Sequence, residues 1–173
     1  MQSPASPPRV AVVGVGQELN GDDAAGVLAA RALSQRQRAG SSDAHRPVPV
    51  SLLVIEAAHA PENCTGAIRR FAPDLVILVD AADMGDPPGT VRWLDWRDAA
   101  GLGASTHTLS LYMMARYLAT DLACDVGLIG IQPQDTSLGV PVSSAVRRAA
   151  RAAAQGLAAL LLPRASSEAR SPR

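Results

Sequence analysis

Two carboxylates and one imidazole, Asp23, Asp80 and His107, are the residues of this chain whose types and placement could do chemistry together. Asp80 closes an unbroken apolar run, Asp74 to Val79 (DLVILV). A carboxylate ending a buried parallel strand lies on the carboxyl edge of its sheet, where α/β proteins place their sites. Asp23 opens a helix after the first strand, and His107 opens another behind Ser105-Thr106. Strand-to-helix loops reach that same edge, so the three can converge if the strand order allows. Such a set suits a divalent transition metal with open coordination positions. Each member also has an ordinary reading: Asp22-Asp23 as acids complementing a helix dipole, His107 as a capping or surface residue.

Gly14-Val15-Gly16, directly after the first strand, admits a rival reading as a dinucleotide loop, in which glycines let pyrophosphate approach a helix N-terminus. Two features oppose it. Leu19 stands where the fingerprint requires its third glycine, and Asp22-Asp23 put negative charge where an anion needs amide donors. Glu56 would be the ribose ligand of that rival. His59 and Glu62 read as solvated loop residues unless they face the same crevice. Cys64 reads as a packing residue, since no base accompanies it. Ser110, Ser143 and Ser144 lack a G-x-S-x-G elbow. Trp93 and Trp96 read as edge-strand packing.

The elements that must position these groups follow from the apolar pattern. Arg9–Val13, Val48–Ile55, Asp74–Val79, Thr90–Leu94 and Val126–Ile131 read as strands, the fourth an edge strand by its alternation. Asp22–Arg38, Pro61 to about Phe71, His107–Leu122 and Pro141–Leu162 read as helices. The last should bury Val142, Val146, Ala149, Ala153, Leu157 and Leu160. Strands alternating with helices predict an α/β protein with a mainly parallel sheet. At 173 residues the chain fits one domain, residues 9–163, with residues 1–8 and 164–173 expected to be disordered tails.

Composition excludes several classes. The hydrophobic fraction of 47% and charged fraction of 18% describe a globular chain rather than a disordered one. Sixteen basic residues, all Arg, balance sixteen acidic ones, so nothing favours a nucleic-acid partner. Two isolated cysteines make no disulfide framework and point to a cytoplasmic setting. No apolar stretch is long enough for a membrane span, and a monomer is expected. The net zero charge is unevenly laid out. Asp22, Asp23, Asp80, Asp83 and Asp86 gather in sheet-edge loops, while Arg147, Arg148 and Arg151 sit on the last helix.

Motifs along the chain resemble one family. They are Gly14-Val15-Gly16-Gln17-Glu18-Leu19-Asn20-Gly21-Asp22-Asp23-Ala24-Ala25-Gly26, Ala60-Pro61-Glu62-Asn63, and Val79-Asp80-Ala81-Ala82-Asp83-Met84-Gly85 with Pro88-Gly89. Ser105-Thr106-His107 and Gly130-Ile131-Gln132-Pro133 complete the series. In this order they resemble the hydrogenase maturation proteases, which trim the C-terminal extension of a [NiFe]-hydrogenase large subunit, and most of all the branch serving formate-hydrogenlyase-type hydrogenases. The resemblance implies a three-layer α/β/α sandwich around a twisted, mainly parallel five-stranded sheet. It implies a cytoplasmic hydrolase, aspartyl-type or metal-dependent, acting on the large-subunit precursor. It places the metal positions on Asp23, Asp80 and His107, with nickel carried by the precursor as recognition element and another divalent transition metal as the alternative in the isolated protein. Asp22 is then a candidate proton acceptor. Gln17 and Ala24 depart from the family's usual Asn and Gly, and Glu56-Ala57-Ala58-His59 replaces its usual Asp-Gly-Gly-Thr. Alanines there restrict positive φ, and His59 would add a ligand. The altered loop motivates an alternative, a non-cleaving escort protein for the immature large subunit.

Overall fold

β-Branched and small residues dominate Arg9–Val15 and Leu75–Ala81, and both segments form strands buried on their two faces, β1 and β3 of a computed structural model. The structure describes residues 6–40, 50–58, 60–97 and 106–163, with the backbone alone for 106–110. Residues 1–5 and 164–173, the bulk of the two expected tails, lie outside the described residues. Pro8, assigned to the first tail, is tied down: its carbonyl accepts the Ser51 N–H at 2.8 Å.

The remaining elements are α1 (Ala25–Gly40), β2 (Ser51–Ala58), α2 (Thr65–Phe71), β4 (Val91–Leu94), α3 (Thr106–Asp121), β5 (Asp125–Ile131) and α4 (Ser144–Leu161). Two 3-10 turns, Gly21–Ala24 and Pro61–Cys64, lead into α1 and α2. The strands pair in the order β2-β1-β3-β5-β4. All neighbours are parallel except β4, which runs antiparallel to β5 along one edge.

Alternation along the strands sorts side chains into two cores. Val10, Val12, Ile77, Val79, Ile129 and Ile131 face Ala25, Ala29 and Leu33 of α1 and Val146, Ala150 and Leu157 of α4. Ala11, Val13, Val76, Leu78 and Leu128 face Ile68 of α2 and Leu111, Met114 and Leu118 of α3. The expected α/β/α sandwich with a mainly parallel five-stranded sheet is the observed fold.

Several boundaries differ from the sequence reading. β1 runs on to Val15 and β2 to Ala58, because both continue pairing past a register shift at Gly14/Val15. Of the expected start of β2, Val48 lies outside the described residues. The first helix opens as a 3-10 turn instead of α-helix at Asp22. α4 begins only at Ser144, where the Ser143 hydroxyl caps it by accepting the Val146 N–H at 3.2 Å. Leu160, expected on its buried stripe, is 76% exposed. Leu161 takes that place, being four residues beyond Leu157 and so on the same helical face. Trp96 leaves the edge strand for the core beside Tyr112, and Trp93, mostly exposed, lies over Gly127.

Chain order makes a switch point. α1 carries the chain from β1 out to β2 on one face, whereas α2 brings it back to β3 on the other. The crevice of such a sheet opens between β1 and β3 at their carboxyl ends.

Candidate functional site at the switch point

Glycine brings the start of α1 onto the ends of β1 and β3. A Cβ on Gly14 would fall 2.1 Å from the Gly26 carbonyl oxygen, and one on Gly26 would fall 2.0 Å from that of Val79. Gly16 holds φ at +136°, and a Cβ there would lie 1.9 Å from the Asp23 carbonyl oxygen. These glycines therefore serve close packing of backbone on backbone. The Gln17 N–H, which a phosphate loop would offer to its ligand, donates to Asp23 Oδ2 at 2.8 Å.

The seating of α1 sets Asp23 beside Asp80. Both are buried, at 9% and 3% exposure. Burial, and then repulsion from Asp23, pushes the Asp80 carboxyl up to about 8, opposed by the Ala81 N–H donated to its Oδ1 at 2.9 Å. Two interacting buried carboxyls at the mouth of a parallel sheet are the arrangement that a cation would relieve. Two or three such oxygens and one imidazole are donors of a kind that divalent transition metals accept. Asp23 and Asp80 supply the carboxylate part of such a donor set.

His107 is the second residue of α3. α3 leads through three residues into β5 and so runs against it, which puts its first turn at the carboxyl edge. The His107 side chain lies outside the described residues, as does the whole of His59. Glu62, in the Pro61–Cys64 turn, is exposed. Among the described residues no group of three or more His, Cys, Asp or Glu is placed to hold a metal ion. Cys64 and Cys124 are free thiols, and burial pushes both up, away from nucleophilic thiolate.

The acidic residues that the sequence gathers at this edge divide by partner. Asp22 is 1% exposed, and its carboxylate accepts three backbone N–H groups of the β5–α4 segment: Ser143 at 2.6 Å, Gln134 at 2.8 Å and Asp135 at 3.4 Å. Asp83 and Asp86 belong to a turn organised by buried Gln132, whose Oε1 accepts the Met84 and Asp86 N–H groups while its Nε2 donates to Asp83. Asp86 also pairs with Arg92 at 2.7 Å, its Oδ2 being buried without a partner among the described residues. Asp23 and Asp80 are left as the coupled pair.

Sequence reasoning did not foresee the backbone partners of Asp22 or the roles of Gln132 and Arg31. The Arg31 guanidinium joins Glu18, in the β1–α1 loop, to Glu56, near the end of β2, at 2.6 and 2.8 Å. A visible signal was the i, i+13 and i, i+25 placement of opposite charges around one strand-to-helix unit, though nothing local distinguishes it from surface charge. Beside it Ala58, the last residue of β2, holds φ at +48°, and its carbonyl accepts the Gly16 N–H at 3.0 Å.

Comparison with known proteins agrees with this architecture. A family profile described as hydrogenase maturation protease matches residues 36–159. The hydrogenase 3 maturation protease of Escherichia coli K12 is 31% identical over 144 residues, covering 83% of this chain and 85% of its own length. The crystal structure of the [NiFe] hydrogenase maturation protease HycI from Thermococcus kodakarensis superposes with a TM-score of 0.75 at 33% identity, covering 88% of this chain and 92% of that one. The solution structure of the endopeptidase HycI from Escherichia coli gives 0.68 at 28% identity, covering 85% and 87%. With this coverage and the matched profile, the chain belongs to the hydrogenase maturation protease family.

Proposed function

We propose that this protein is an endopeptidase, a hydrolase that removes the C-terminal extension of a [NiFe]-hydrogenase large-subunit precursor once nickel is in place. The observation that carries this reading is the Asp23–Asp80 pair at the switch point, buried and mutually repulsive, in a chain of this family. Near neutral pH such a pair resists full ionisation. A cation presented by the precursor offsets the repulsion, so recognition is selective for metal-loaded substrate. Asp23, Asp80 and His107 are the residues that would hold or sense the nickel. When bound, the metal supplies polarisation of the scissile carbonyl or an activated water. No described helix is long and apolar enough to cross a membrane.

The test incubates nickel-loaded precursor with the wild-type protein, Asp23→Ala and His107→Ala, and follows the precursor's mass. Wild type shortens the precursor from its C-terminus, and each variant slows trimming by at least about 100-fold, the scale of losing a group that acts in the transition state. Undiminished trimming by either variant removes that residue from the site. A second reading, binding without cleavage, is favoured by Ala58 at φ +48°, a backbone position suited to glycine in the wall of the crevice. Capture of the precursor with no loss of mass would select it.

A further inference from the structure

We propose that Asp22 is a positioning residue that aims Asp23 at Asp80, rather than a participant in proton transfer; the proposal rests on the maturation-protease reading above. A carboxylate only 1% exposed is costly unless its oxygens are hydrogen-bonded. Here both oxygens are engaged, Oδ1 by the Ser143 N–H and Oδ2 by those of Gln134 and Asp135. The contact is reciprocal, since the Asp22 N–H donates to the Asp135 carbonyl at 2.9 Å and the Gly139 N–H to that of Leu19 at 2.8 Å. Gly21 makes room for it: a Cβ there would lie 2.5 Å from the Asp135 oxygen. The segment before α4 and the turn before α1 are therefore one unit.

That unit has a single short turn at its centre. Asp22 and Asp23 are consecutive residues of the 3-10 turn Gly21–Ala24, which rotates by about 120° per residue, so their side chains diverge. Fixing one fixes the direction of the other. The turn lacks a side-chain cap at Asn20, and Asp22 is the side chain that ties it to the segment before α4. Ser143, moreover, caps α4 with its hydroxyl while its N–H holds Asp22, which registers α4 to the site.

The substitution Asp22→Asn tests this without changing size. One carboxamide oxygen cannot replace two carboxylate oxygens among three converging N–H donors, and the NH2 group then faces a donor. The primary readout is hydrogen exchange at the Gln17 amide, which reports whether Asp23 Oδ2 is still in place. We expect its exchange to quicken at least about tenfold, with the core amides of Val12 and Leu78 unchanged. In trimming of nickel-loaded precursor, kcat should fall about 30-fold or more, precursor affinity should stay within about threefold, and both limbs of the pH–rate profile should persist. An unchanged Gln17 amide or an unchanged kcat overturns the proposal, and loss of one pH limb assigns Asp22 to proton transfer instead. Should the wild type fail to trim the precursor, the maturation reading falls while Gln17 exchange still decides the positioning role.

Should Asp22→Asn not fold, Ser143 supplies a milder pair. Its φ of −64° suits proline, so Ser143→Pro removes the N–H to Asp22 together with the cap, whereas Ser143→Ala removes the cap alone. Faster Gln17 exchange in Ser143→Pro than in Ser143→Ala supports the clamp. Equal exchange in the two overturns it.

Discussion

Asp22 and Asp23 are neighbours with the same side chain and nearly the same burial, yet their surroundings differ in kind. Among the described residues three backbone N–H groups converge on Asp22, while Asp23 takes one, from Gln17, and confronts a second buried carboxyl, Asp80. The first arrangement satisfies its charge and joins segments far apart in sequence. The second, among the described residues, sets two buried carboxyls against each other. Burial alone therefore does not separate the two carboxylates; the balance between burial and internal donors does.

That contrast is most sharply tested at Asp80. Its carboxyl, with an ordinary value of 3.8, is raised to about 8 by burial first and by Asp23 second. The folded state consequently holds a proton on Asp80 that the unfolded state releases, so the contribution of Asp80 to metal-free stability is fully present below about pH 4 and is lost as pH rises towards 8. Asp80→Asn should abolish trimming and at the same time stabilise the metal-free protein at neutral pH, by about 2–4 kcal/mol. Thermal melting of chelator-treated protein at pH 5 and pH 8 measures this. Parallel pH slopes in wild type and variant would erase the distinction between the satisfied and the strained carboxyl.

A smaller effect is expected at the wall of the crevice. Ala58 and Ala72 share a left-handed conformation, at φ +48° and +47°, but Ala58 adjoins the site and Ala72 ends α2. Replacing either by glycine relieves Cβ crowding and should stabilise by about 0.5–1 kcal/mol. Urea denaturation checks that gain. Only Ala58→Gly should also alter trimming, since only it reshapes the approach to Asp23; equal kinetic effects would show the wall to be indifferent.

Least is expected from Arg31, where carboxylates are paired at the surface. The guanidinium is 38% exposed, so its two ion pairs are screened. Arg31→Ala should cost no more than about 1 kcal/mol, and raising salt should shrink the loss. A salt-independent cost above that would mean that this network works as the interior ones do.

The fold was legible because its signals are local. DLVILV declares a strand buried on both faces, and the Ala/Leu periodicity of α1 and α4 declares their inner sides. Phase errors arose where several small residues left the stripe wide, as at Leu160 and Leu161. In the site, the residue types at Asp23 and Asp80 were legible and their adjacency was not, since it depends on β1 and β3 being neighbours. Local pattern alone did not separate Asp22 from Asp23; only the family resemblance gave them different roles. Its partners lie 112 to 121 residues further on, beyond any local pattern.

The glycine seat of α1 also bears on motion. With Gly26 lying against the carbonyls of Val15 and Val79, the turn that carries Asp23 has no slack to move inward. On its other side Asp22 ties it to the segment before α4. The floor of the crevice is thus an anvil rather than a jaw. Under the proposed function, a substrate tail would have to bend onto this floor, so precursors with a pliant C-terminal segment should be trimmed faster than stiff ones.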